Sequence, residues 1–165
     1  MQTDGAEGWA SPVAAREFPF AFDPSYLRLA RLFGVTPDSA RVIVDDGELR
    51  ARYGPWHVTT PCSNVAHAEV SGPYRFHTTA GPARLSLADR GLTFASNGRR
   101  GVCIIFREPV PGLVPTGHLR HPNLTVTVAD CGGLVRVLSD EAAHRLGAGP
   151  GEQPVRPTEG EPPSR

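Results

Sequence analysis

Lysine is absent from this 165-residue sequence: all seventeen basic residues are arginine, and they balance seventeen aspartates and glutamates. A formal charge of zero argues against bulk electrostatic attraction to nucleic acid or to an anionic membrane, so no nucleic-acid partner is expected. Arginine suits planar, two-point contacts with anions better than lysine does. The wealth of Arg, Ala, Gly and Pro also fits a general codon bias, so the missing lysine is no evidence of function. Cysteine is scarce too. Cys62, Cys103 and Cys131 are odd in number and widely spaced, with no C-x-x-C pair, which excludes a zinc ribbon and a thioredoxin-type motif. In a reducing compartment they read as small core residues. Long apolar runs are missing: "VCII" is far too short to span a bilayer. The opening "MQTDGAEGWASPVAAREF" carries Asp4 and Glu7 and no apolar core, unlike a signal peptide. The expectation is a cytoplasmic protein with no transmembrane segment. On that footing the "NLT" sequon at Asn123 is a chance match.

Catalytic signatures are missing as well. No G-x-S-x-G, H-E-x-x-H, P-loop or G-x-G-x-x-G occurs. Cys103 sits inside the apolar run "VCIIF", a poor setting for a thiolate. Asp45 and Asp46 are adjacent carboxylates, but beside Gly47 they serve turn geometry. "HLRH" sets His118 and His121 three apart, yet Pro115 and Pro122 oppose the helix that would align them. His57, Cys62 and His67 match no zinc spacing. No enzyme, metal or cofactor is expected.

What is present is enough for one core. With 39% hydrophobic residues the chain fits a single domain with flexible ends. Residues 1–16 read as a disordered lead-in, 17–146 as the domain, and 147–165 as a disordered tail rich in Pro, Gly and Glu. "FDPSYLRLARLFG" predicts a helix over 24–33, with Asp23 as N-cap, Pro24 at the first position and Gly34 ending it. Tyr26, Leu27, Leu29, Ala30 and Phe33 fall largely on one face of it. "ARVIVDDGELRARYG" predicts a hairpin turning at Asp46-Gly47, with Val42 and Val44, then Leu49 and Ala51, facing inward. "PWHVTTP" follows as a third strand, over which Trp56 packs. "SNVAHAEVSG" is a fourth, with Val65, Ala68 and Val70 inward. "ARLSLADRGLTFAS" predicts a second hairpin, and "VCIIFREP" the most apolar strand. "PVPGLVPTGHLRHPN" reads as a loop. In "LTVTV", Leu124, Val126 and Val128 face one side and Thr125 and Thr127 the other. "ADCGGLVRVLSDEAAHRLG" closes the domain as a helix capped by Asp130, with Leu134, Val135, Leu138 and Ala142 as its apolar stripe and Gly147 as its stop. About seven antiparallel strands and a final helix predict a mainly β, α+β open barrel or sandwich with the helix over one end.

Three segments, "VIVDDGELRARYGPW", the polar entry "PCSNVAHAEV" and the strand-to-helix run "LTVTVADCGGLVRVL", resemble the bacterial pleckstrin-homology-like domain over residues 38–146. The chain is also similar to uncharacterised actinobacterial proteins of comparable length, a likeness that implies no activity. The resemblance implies a two-sheet barrel with a C-terminal capping helix that works as a binding or assembly platform. The family's phosphoinositide-binding lysines have no counterpart in a chain without lysine.

The most unusual local composition is "GPYRFHTTAGPARLSLADRG" at residues 72–91, with three arginines, one histidine and a single acid, Asp89. Extended to Arg107, the window holds Arg75, Arg84, Arg90, Arg99, Arg100 and Arg107 against that one acid. If the strands at 82–88, 92–96 and 102–107 are neighbours, Arg75, His77, Arg99 and Arg100 meet at one end of the sheet. Tyr74 and Phe76 would then serve as aromatic anchors. The same residues also fit a solvated loop whose arginines keep sheet edges soluble. The first functional expectation is a non-enzymatic domain engaging a protein partner, or itself, through this basic-aromatic surface. The alternative is a barrel holding a small anionic ligand or headgroup, with or without chemistry on it.

Overall fold

The computed structural model describes residues 15–73, 83–85, 90–112 and 119–147. Four strands, β1 (Arg16–Pro19), β2 (Ala40–Asp45), β3 (Glu48–Tyr53) and β4 (Trp56–Pro61), pair antiparallel in the order β1-β2-β3-β4. Between β1 and β2 lies helix α1 (Pro24–Leu32). Five more strands, β5 (Val65–Ser71), β6 (Arg84–Leu85), β7 (Leu92–Phe94), β8 (Gly101–Pro111) and β9 (Arg120–Val126), form a second sheet in the order β5-β8-β9-β7-β6. Helix α2 (Cys131–Gly147) ends the described chain. The described residues are therefore mainly β with two α-helices, and neither sheet closes on itself among them. None of the described helices is long and apolar enough to cross a membrane.

Alternation builds the first sheet. Val42, Val44, Leu49 and Ala51 are buried, while Arg50 and Arg52 point to water. Asp46 and Gly47 both hold positive φ, 46° and 70°, as the two-residue turn predicted between β2 and β3 requires. The buried faces of the two sheets share one core, to which α2 adds Cys131, Leu134, Val137 and Leu138. The two sheets also touch where the chain runs on past β1 and β9. Just past β1, Phe20 bridges Val128, Ala21 N–H donates to the Thr127 carbonyl (2.9 Å), and Ala129 N–H donates to that of Pro19 (2.9 Å). At the centre stands Tyr53, fully buried, its ring stacked on Phe94 of β7 at 5.4 Å and tilted against Phe20 at 5.3 Å. Its hydroxyl donates to the Ala95 carbonyl. Trp56 is half-buried beside it, ring centroids 6.5 Å apart, so it packs on the core as expected.

Several expectations need correcting. The described residues form nine strands where about seven were expected, and β7 runs parallel to β9, so the all-antiparallel reading fails. β9 lies between β7 and β8, which separates two strands expected to be neighbours. The turn between them is too wide for a tight hairpin, because Ser96 and Asn97 are drawn to the Ala21 carbonyl instead. The segment 109–123, expected as a loop, contributes both ends to the ladder: Val110 pairs with His121 and Pro111 with Arg120. Prolines 109, 111 and 122 do not break this pairing, because proline is tolerated where its missing N–H falls outside the ladder. Val70 is 46% exposed, because β5 is an edge strand and a bulge between Val65 and His67 resets its register. Thr127 is fully buried, past the end of β9, with its hydroxyl satisfied by Ser96. Leu29 and Phe33 lie outside the core, since α1 buries only Tyr26 and Ala30, one turn apart.

Replacing Tyr53 with phenylalanine keeps the ring stack but strips the Ala95 carbonyl of its buried partner. Urea unfolding of Tyr53→Phe should show a loss of about 1–3 kcal/mol with an unchanged denaturant slope.

Candidate functional site

At the seam where the sheets meet lies a cleft of about 290 Å³, lined by Ala21, Phe22, Asp23, Asn97, Arg99, Arg100, Val128, Ala129 and Cys131. It gathers three segments far apart in sequence: the link from β1 to α1, the turn from β7 to β8, and the link from β9 to α2.

The β7–β8 turn is anchored from below. Ser96 N–H donates to Thr127 Oγ1 (2.8 Å), and its hydroxyl donates to the Ala21 carbonyl (2.8 Å). Asn97 is buried and divides its side chain between two jobs. Its Nδ2 donates to the same Ala21 carbonyl (2.8 Å), and its Oδ1 accepts from the backbone N–H groups of Arg99 (2.9 Å) and Arg100 (3.3 Å). The loop carrying the two arginines is thus held to the wall formed by Ala21, while both guanidinium groups stay in solvent. Arg99 Nη2 lies 3.4 Å from Asp23 Oδ2, with its side chain 79% exposed, a pair worth little in water.

Each helix start on the rim is already satisfied by its own aspartate. Asp23 Oδ1 accepts from Ser25 N–H (3.1 Å) and the Ser25 hydroxyl (2.7 Å). These donors, with Arg99 as a smaller contribution, hold its carboxyl below the usual aspartate range. Asp130 Oδ1 accepts from Gly133 N–H (2.8 Å), capping α2 as expected. Cys131 is buried and donates to the Val128 carbonyl (3.3 Å). Burial pushes its thiol pKa up, and nearby Arg100 offsets only part of this. A protonated, inward-facing thiol is a poor nucleophile. The cleft combines an apolar floor (Phe22, Val128, Ala129) with two projecting guanidiniums. That combination recognises an anionic group attached to something apolar.

Of the expected surface, Arg99 and Arg100 are brought together on this rim, whereas Tyr74, Arg75, Phe76 and His77 lie outside the described residues. The root of that segment is placed. Ser71 pairs with Gly101, and Gly72 packs so closely that a Cβ would fall 2.6 Å from the Arg99 carbonyl oxygen. Gly72 also holds a φ of 125°, so no other residue fits there without shifting the arginine loop. Sequence reasoning missed the walls at 21–23 and 128–131. The only local hint was Asn97, a turn residue whose side chain proves to be buried.

No group of three His, Cys, Asp or Glu side chains able to hold a metal ion forms among the described residues. His118 lies outside them. His121 is fully buried, and its Nδ1–H donates to the Arg90 carbonyl at 3.0 Å. Cys62 is buried while His57 and His67 are exposed.

Two substitutions report on this architecture. Asn97→Ala strands the Arg99 and Arg100 amides and one bond to the Ala21 carbonyl, and should cost about 1–3 kcal/mol by urea unfolding. Asp23→Ala removes a cap whose carboxyl has a lowered pKa in the folded state. Such a group stabilises most above the unfolded value and loses that contribution as pH falls through the folded one. The melting-temperature gap between wild type and Asp23→Ala should therefore be widest at neutral pH and close on acidification below about pH 4.

No protein-family model matches the chain, and neither a curated protein nor a solved structure is significantly similar to it.

Proposed function

We propose that this protein is a non-enzymatic binding domain, of the pleckstrin-homology-like kind its hairpin and terminal strand–helix resemble. In this reading it engages a protein partner through an acidic segment of that partner seated at the Arg99–Arg100 rim. The observation that carries the reading is the way Asn97 pins the backbone of both arginines while leaving their side chains exposed to solvent. A rigid loop presenting mobile charges spends little ordering entropy in its backbone on binding. An incoming carboxylate displaces Asp23 from Arg99 at small cost, because that contact is long and exposed.

The volume of the cleft favours a second reading. At about 290 Å³ it reaches the lower end of small-molecule sites, so a small anionic ligand with an apolar body would also fit.

Charge reversal separates the readings. Protein purified gently from its own host is compared by native mass spectrometry as wild type, Arg99→Glu/Arg100→Glu, and the control Arg50→Glu on the far hairpin. Under the partner reading, a discrete protein complex is present in wild type and control. The double variant then binds the purified partner about tenfold more weakly or worse, with the gap narrowing at high salt. A small discrete mass lost in the double variant alone moves the assignment to the ligand. A complex that persists unchanged in the double variant ends the claim on this rim.

A further inference from the structure

Helix α1 turns an apolar face outward. Leu29, Leu32 and Phe33 are 39%, 80% and 41% exposed, and their i, i+3, i+4 spacing puts them on one side of the helix. Single exposed apolar side chains are ordinary on protein surfaces, but two leucines and a phenylalanine side by side at the end of one short helix form a patch. Bases border it. Arg28 stands one turn before Leu32, and Arg31 is exposed in the last turn. Arg52 donates to the Gly54 carbonyl, and Gly54 packs on the Gly34 backbone, which brings a third guanidinium to the C-terminal end of α1. Neither Arg28 nor Arg31 has an ion-pair partner among the described residues. No carboxylate occurs between Asp23 and Asp38, and Asp23 is committed to capping α1 and to Arg99.

We propose that this face is a second docking surface, and that its partner is an amphipathic protein segment whose apolar side chains are bordered by carboxylates. Charge complementarity selects that occupant. A second copy docking face to face would set Arg28 and Arg31 against themselves, with no carboxylate on the helix to relieve them. The three side chains also fall short of the roughly 800 Å² that each partner gives to a stable dimer. A lipid surface is disfavoured by a helix only nine residues long, with few bases, on a chain of zero net charge; stable anchoring takes more than one such signal. A partner segment with its own i, i+3, i+4 anchors matches both the length of the patch and its charge. The surface is distinct from the Arg99–Arg100 rim and does not depend on it.

The test uses the full chain and a synthetic peptide with leucine at i, i+3, i+4 and i+7 and glutamate and alanine elsewhere. A counterpart with lysine in place of glutamate serves as control. The acidic peptide should shift the NMR amide signals of residues 26–35 and the lysine peptide should not. Leu32→Glu, at a site too exposed to disturb folding, should weaken the acidic peptide at least tenfold. Arg28→Glu/Arg31→Glu should reverse the peptide preference, and Arg99→Glu/Arg100→Glu should leave the α1 response intact. The proposal is overturned if α1 signals do not move, or if Leu32→Glu binds as well as wild type. It is equally overturned if α1 responds only to vesicles of equimolar phosphatidylglycerol and phosphatidylcholine, or if the patch is consumed by a dimer that Leu32→Glu dissolves. A response confined to Asn97–Arg100 returns the acidic segment to the cleft alone.

Discussion

The contact on which the rest of the molecule depends is the one Tyr53 makes across the core. Its ring lies flat on Phe94, with an interplanar angle of 7°, and its hydroxyl reaches the Ala95 carbonyl. One side chain of the first sheet therefore fixes both the position and the direction of a strand in the second. Burial raises the phenol pKa far above its ordinary value, so the group remains a hydrogen-bond donor throughout the physiological range. The consequence runs along the chain one residue at a time. Ala95 held by Tyr53 sets Ser96 against Thr127 and Ala21, Ser96 sets Asn97 beneath the turn, and Asn97 sets Arg99 and Arg100 on the rim. The candidate site is an extension of the core's polar interior.

That continuity explains why three of the buried polar residues lie together at the seam. Ser96, Asn97 and Thr127 are buried together, and each has its partners within the seam. A polar network in a low-dielectric setting costs stability when half satisfied and rigidifies when complete. Here it is complete where the continuations of β1 and β9 meet, the place at which a slip in register would open the core. His121 shows the contrast. Its Nε2 is buried without a hydrogen-bond partner among the described residues, a polar atom for which the surrounding contacts offer no compensation.

Local chemistry was legible wherever a few consecutive residues decide the outcome. Asp46-Gly47 specified its turn because few other pairs accept two positive φ values, and Asp23-Pro24 specified the start of α1 because cap and first position act within one turn. Leu134 and Leu138 announced the buried stripe of α2 by their spacing. The order of the second sheet was not legible. Inserting β9 between β7 and β8 depends on bonds from Ser96 and Asn97 to Ala21, some 75 residues away, which no local pattern encodes. The same gap hid two walls of the cleft, and left only its arginines visible as a cluster of like charge. For α1 the period was right and the depth was wrong: amphipathic spacing identifies a face, but the width of the buried stripe depends on what the helix rests upon. The prolines of 109–123 misled for a related reason, since a proline interrupts a strand only where its N–H would have been used.

The segment 20–35 carries an unusual share of what the molecule presents to solvent. Its first residues seal the seam through Phe20 and Ala21, and its aspartate both caps α1 and faces Arg99. Its helix and the residue after it then present three of the five large apolar side chains exposed among the described residues. A nine-residue helix has little stability of its own, so its place is set by the few contacts that hold it: the Asp23 cap, Tyr26 and Ala30 below, and Val35 returning to the core. Those contacts use one narrow line of the helix. If α1 served only to cover the core, burying Leu29 and Phe33 would be the stabilising choice, at about 1.5–3 kcal/mol for each large side chain withdrawn from water. Keeping them outward beside arginines that have no ion-pair partner among the described residues is what a surface kept for a partner requires, because apolar area buried in advance contributes nothing to association.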